Sequence, residues 1–151
     1  MGCDIHMVLE RKIKGEWVGM HSFPYLRGAV HEPKTDKDAY YYPGWIATDR
    51  NYSLFAAVAQ VRSDGDEGME PRGVLPDLSP LARFEVDGWG EDGHSHTWLT
   101  LHEATPLFLA HYGQDDLLTD RRHYTCANLL GADYNEDKDL LDYRLIIWFD
   151  N

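Results

Sequence analysis

Near its C-terminus the chain reads Tyr143-Arg144-Leu145-Ile146-Ile147-Trp148-Phe149-Asp150, five large apolar residues in unbroken succession. Successive residues of a strand point to opposite faces, so this run makes a strand that is apolar on both. Such a strand belongs at the centre of a sheet rather than at its edge, because an edge would leave one side and a row of backbone groups to water. A length of 151 residues suits a single domain, 1–151, built around it.

The N-terminal segment has the other pattern. Cys3, Ile5, Met7 and Leu9 alternate with Asp4, His6, Val8 and Glu10, which predicts a strand over residues 3–12 with its apolar face in the core. Lys14-Gly15 reads as a turn into Glu16-Trp17-Val18-Gly19-Met20, giving an N-terminal hairpin. Residues 23–51, with Pro24, Gly28, Pro33, Pro43, Gly44 and the Tyr40-Tyr41-Tyr42 cluster, read as a long loop.

Ser53 to Arg62 predicts a helix with Leu54, Phe55, Val58, Ala59 and Val61 on its apolar face and Asn51 or Ser53 as cap. Residues 63–77 read as a surface loop. Ser79-Pro80 is a cap followed by proline, starting a short helix through about Val86. His94 to His102 alternates as a strand, and Thr105-Pro106 repeats the cap-plus-proline signal before Leu107. About four strands and three short helices without regular βαβ alternation indicate an α+β domain with a mixed or antiparallel sheet.

Charge narrows the partners. Twenty-six acidic side chains against 14 basic leave a net charge of −12, and residues 63–151 hold nineteen of the acidic groups with only six basic ones. Wrapping of duplex nucleic acid is disfavoured, since that binding runs on Lys and Arg neutralising phosphates. A small anionic ligand held locally, or a protein partner with a basic surface, remains compatible. The sequence has no apolar run of membrane-spanning length and no basic region followed by an apolar stretch at its start, and Cys3 and Cys126 form no CxxC pair, so a cytoplasmic location is expected.

Two motifs place metal-ligand residue types two apart within predicted strands: Asp4-Ile5-His6 and His94-Ser95-His96. Residues i and i+2 share a strand face, so each pair can direct two ligands at one point. If the two strands are neighbours, Asp4, His6, His94 and His96 converge on a site suited to a divalent metal ion, Zn²⁺, Mn²⁺ or Fe²⁺. Glu10 and Asp92 are then the candidate catalytic bases or outer partners. The alternative is that His6 and His96 hydrogen-bond carboxylates and organise a polar patch. Arg50, with Asn51 and Tyr52 at the same helix entrance, is the candidate substrate-binding group for an anion, where free N–H groups and the helix dipole help; a salt bridge to Asp49 or the acidic loop is its alternative. The Tyr40 to Trp45 loop offers a stacking surface for a base or a partner, or a flap packed on the core. Cys126 near His123 reads as a structural thiol. GxxxxGK[ST], GxGxxG and GxSxG do not occur.

Taken together, MGCDIH at the start, RNYSLFAAVAQVR (50–62), PRGVLPDLS (71–79), DGHSHTWLTL (92–101) and the terminal IIWFDN resemble a family of small bacteriophage and prophage proteins with MGxDIH, RNYxLFA and GHSHxWLTL motifs. Val74 is an extra residue between Gly73 and Leu75 relative to that pattern. The resemblance implies a phage-encoded protein of the host cytosol and carries no activity with it. Two functions follow as expectations: a metal-dependent hydrolase of a phosphoester or nucleotide-like small molecule, or a noncatalytic anti-defence protein that binds a host defence protein or sequesters a nucleotide signal.

Overall fold

The computed structural model describes residues 2–20, 50–65, 67–112 and 142–151. Strand β1 (Asp4–Ile13) turns back into β2 (Glu16–Met20) through Lys14 and Gly15, whose φ values of +51° and +81° are those of a two-residue hairpin turn. Strands β3 (His94–Thr100) and β4 (Tyr143–Asp150) complete an antiparallel sheet ordered β2-β1-β4-β3. The apolar C-terminal strand is therefore central, between β1 and β3. The fold is α+β, with three α-helices among the described residues: α1 (Tyr52–Ala59), α2 (Pro80–Trp89) and α3 (Leu101–Tyr112).

The helices divide between the two sheet faces, which explains why β4 is apolar on both. On one face Ile5, Met7, Leu9, Leu99, Leu145, Ile147 and Phe149 meet α1 (Leu54, Phe55, Val58) and α3 (Leu101, Ala104, Phe108). On the other, Val8, Ile146 and Trp148 meet Leu81, Ala82 and Val86 of α2. Each large apolar side chain so buried contributes about 1.5–3 kcal/mol. The alternation in β1 thus separates two covered faces, and its second face is not left to water.

Each helix start has a local cause. Asn51 Oδ1 accepts from the Leu54 N–H at 3.1 Å, and Ser79 Oγ from the Ala82 N–H at 3.2 Å, with Pro80 as the first helical residue. Helix α1 is shorter than the apolar pattern suggested: Gln60 takes φ +55° and ends it, although Val61 still enters the core. Helix α2 runs past Val86 to Trp89, and a 3-10 turn, Gly90–Asp92, leads from it into β3.

The reading of Thr105-Pro106 as a helix start is overturned. Helix α3 begins at Leu101 under a capping box in which Thr100 Oγ1 accepts from the Glu103 N–H at 3.2 Å and Glu103 Oε2 accepts from the Thr100 N–H at 2.9 Å. Pro106 lies inside the helix. Among the described residues no helix is long and apolar enough to cross a membrane. The long loop with the Tyr40 to Trp45 cluster, and His123 and Cys126, lie outside the described residues.

Candidate functional site

Antiparallel pairing brings the start of β1, the end of β4 and the start of β3 to one end of the sheet, and the approach to α1 reaches the same end. Asp4 stands opposite Asp150, His6 opposite Trp148, and His94 opposite Phe149. Of the described candidates, Asp4, His6, His94, His96 and Arg50 gather there and Glu10 does not.

His6 is held among aromatic rings. Its centroid lies 4.2 Å from that of Trp89, at the end of α2, and 5.6 Å from that of Trp148. Its Nε2 is 3.4 Å from Asp150 Oδ2, yet this buried nitrogen has no hydrogen-bond partner among the described residues. Asp150 Oδ1 accepts from the Asp4 N–H at 3.0 Å, which fixes the carboxylate.

The Asp4 side chain does not face His6's partner. Its two oxygens accept from Arg50 Nε at 2.7 Å and from the second guanidinium nitrogen, Nη2, at 3.0 Å, a bidentate pair with both side chains about half exposed. Those hydrogen bonds hold the Asp4 carboxyl below its ordinary range and raise Arg50 above its own. Gly2 makes room for the pair, since a Cβ there would stand 2.0 Å from Arg50 Nη1. Arg50 is thus paired with Asp4, and Asp49 lies outside the described residues. Asn51 caps α1, and Tyr52 is exposed.

The expected convergence of the two ligand pairs fails for two reasons. First, β4 lies between β1 and β3, so the two motifs are two strand spacings apart, roughly 10 Å, with Trp148 on the strand between. Second, a β-bulge separates His94 from His96. Two residues, Ser95 and His96, oppose Trp148 alone, and Ser95 takes φ +50°. His94 therefore turns to the α1/α3 face, where it stacks on Phe149 at 6.3 Å, with Nδ1 3.0 Å from Ser95 Oγ and Nε2 buried without a hydrogen-bond partner among the described residues.

His96 lies on the opposite face beside Trp148 and Trp89. A Cβ built on Gly93 would meet His96 Nε2 and Trp148 Cδ1 at 3.4 Å each and Trp89 Cβ at 3.2 Å. Burial, and then the neighbouring His94, push the His96 imidazole below its usual value, favouring the neutral ring. Trp148 Nε1, in the same neighbourhood, is buried with no hydrogen-bond partner among the described residues.

Glu10 is not a base for this site. It lies four residues along β1 from His6, about 13 Å away, and is fully buried. Its oxygens accept from Arg144 Nε at 2.5 Å and from the Ser79 N–H at 2.6 Å, so it anchors the start of α2. Asp92 is exposed in the 3-10 turn. Among the described residues no group of three or more His, Cys, Asp and Glu side chains is placed to hold a metal ion.

Three contributors, Asp150, Trp148 and Trp89, escape a motif-based reading. Asp150 had a usable signal: it is an acidic residue ending an otherwise apolar central strand, and antiparallel pairing with β1 puts it opposite Asp4. No family model, curated protein or solved structure matches this chain.

Proposed function

We propose that this is a phage-encoded, metal-dependent hydrolase of a phosphoester or nucleotide-like small molecule, working at the end of the sheet where His6, Asp150, Arg50 and His96 gather. The observation that carries the reading is the buried His6 Nε2, which faces the Asp150 carboxylate at 3.4 Å and has no hydrogen-bond partner among the described residues. Buried polar atoms in native proteins are nearly always satisfied, so an orphaned imidazole nitrogen beside a fixed carboxylate marks a place for a further group. A divalent ion held by His6 would supply an activated water. Arg50, half exposed at the entrance of α1, is the group that an anionic substrate would contest with Asp4. Asp92 remains the exposed carboxylate for proton transfer.

Incubation with a panel of cyclic nucleotides and nucleoside phosphates, with and without chelator, tests this. Turnover that needs metal and is lost in His6→Ala supports it; no metal-dependent turnover across the panel removes it.

One observation favours a second reading, a noncatalytic protein that sequesters a nucleotide signal. Asp4 and Glu10 are both neutralised by arginines, while Trp89, partly exposed beside His6, offers a stacking surface. On that reading a nucleotide is recovered unchanged from the purified protein.

A further inference from the structure

We infer that Ser53 and His111 form a second reactive site, with no part in the proposed metal-dependent hydrolysis, in which Ser53 is the nucleophile toward small carboxylic esters. The sequence offers Asn51 or Ser53 as the cap of α1, and Asn51 takes that role through Oδ1, which leaves the Ser53 hydroxyl for another partner. That partner is the ring of His111, 58 residues later in the last turn of α3, where Nδ1 lies 2.5 Å from Ser53 Oγ. In the neutral ring with its proton on Nε2, Nδ1 accepts from the hydroxyl, the arrangement of a serine with its general base.

Ser53 is exposed and His111 half-buried, so the oxygen is open to a substrate while the base is held. Asn51 holds both sides of the pair: its Oδ1 orders the first turn of α1, and its Nδ2 donates to the His111 carbonyl at 3.3 Å, which ties the end of α3 to the same turn. The N–H groups of Tyr52 and Ser53 have no acceptor inside α1 and stand at the positive end of its dipole, where a developing oxyanion is stabilised. Ser53 Oγ attacks the ester carbonyl carbon and its proton passes to His111 Nδ1. The bond from that carbon to the alcohol oxygen then breaks, and the alcohol leaves with the proton, giving acyl-Ser53. Water attacks the acyl carbon with His111 Nδ1 again taking a proton, which returns to Ser53 Oγ as the acid departs.

Mass mapping of the full-length protein after treatment with a fluorophosphonate, which loses fluoride as its phosphorus bonds to a nucleophilic serine oxygen, tests the assignment, together with p-nitrophenyl acetate hydrolysis measured with and without chelator. Wild type takes one label, on Ser53, and hydrolyses the ester at a rate that chelator leaves unchanged, whereas the heat-unfolded chain takes no label. Ser53→Ala abolishes the label and reduces hydrolysis to that of the heat-unfolded chain. His111→Gln slows both reactions by about a hundredfold or more. Thermal unfolding of each variant identifies any that fails to fold, and the two variants serve as independent replacements for one another. An unlabelled Ser53 in the folded wild type overturns the inference, as does ester hydrolysis that survives Ser53→Ala. Reaction of His111→Gln at the wild-type rate also overturns it, and reduces the hydrogen bond to a tie between α1 and α3. No label with metal-dependent nucleotide turnover intact removes this site alone; a labelled Ser53 without metal-dependent turnover removes the metal-dependent hydrolase alone.

Discussion

Glu10 and Arg144 stand directly opposite each other on β1 and β4 and are withdrawn from water, at 0% and 5% exposure. Arg144 also donates to the Asp77 carboxylate at 3.1 Å and to the Asp77 carbonyl at 3.0 Å, and its guanidinium lies 3.9 Å from the Trp17 ring centroid. One buried ion pair thereby ties the hairpin, the central strand and the start of α2 together. Removing one partner strands the other charge in the interior. Arg144→Met is expected to cost about 3–5 kcal/mol in urea denaturation. The double variant Glu10→Gln/Arg144→Met should cost less than its two singles together; strict additivity would show that the pair is not coupled.

Glu103 caps α3 and also takes both terminal nitrogens of Arg72, at 2.7 Å and 2.9 Å. The Arg72 hydrogen bonds, aided by those from Thr100, lower its carboxyl from 4.5 to about 2. A carboxylate depressed in the folded state adds stability that is present above the unfolded value of 4.5 and disappears as pH falls toward 2. In Glu103→Gln the capping hydrogen bond survives but the ion pair does not. Stability should fall by about 0.5–1 kcal/mol near neutrality, since the pair is partly solvated. Denaturation curves between pH 5 and pH 2, a span set by about those two values, should be flatter for the variant; an unchanged slope would contradict the assignment.

Pro106 sits in the interior of α3 and is exposed. Its ring removes the N–H that would bond the carbonyl of His102, a local defect in the helix. Pro106→Ala should therefore raise stability by about 1–3 kcal/mol. A melting temperature equal to or below wild type would mean that the proline constrains something beyond its own helix.

The sheet was legible because its signals are local. A doubly apolar run can only be central, and the β1 alternation and the Lys14-Gly15 turn specify a hairpin without help from distant residues. The site was half legible for the same reason: Asp4, His6, Arg50, His94 and His96 do reach one end of the sheet. Strand order and the bulge decided the rest. Nothing near His94 announces that Ser95 takes a left-handed conformation, and one inserted residue reverses the face of everything before it. Nor does the sequence around Glu10 say that Arg144, 134 residues later, will consume its charge. Thr105-Pro106 misled because the stronger capping box, Thr100 with Glu103, overlapped the end of the predicted strand.

His96 carries the last prediction. Burial is the main cause of its lowered pKa, and repulsion from His94 across the bulge is the smaller one. The imidazole thus titrates below 6.5, the ordinary value, and is neutral in the folded protein at pH 7. Because the folded value is the lower one, the unfolded chain binds the proton first as pH drops. Stability contributed by the neutral ring is complete above about 6.5 and is lost as pH falls through the folded value. An NMR titration of the histidine Cε1–H resonances should give His96 a midpoint under 6.5, and His94→Gln should move that midpoint upward without restoring it fully, since burial remains. A midpoint at or above the ordinary value would mean that His96 faces water, and would withdraw it from the Trp89–Trp148 cluster.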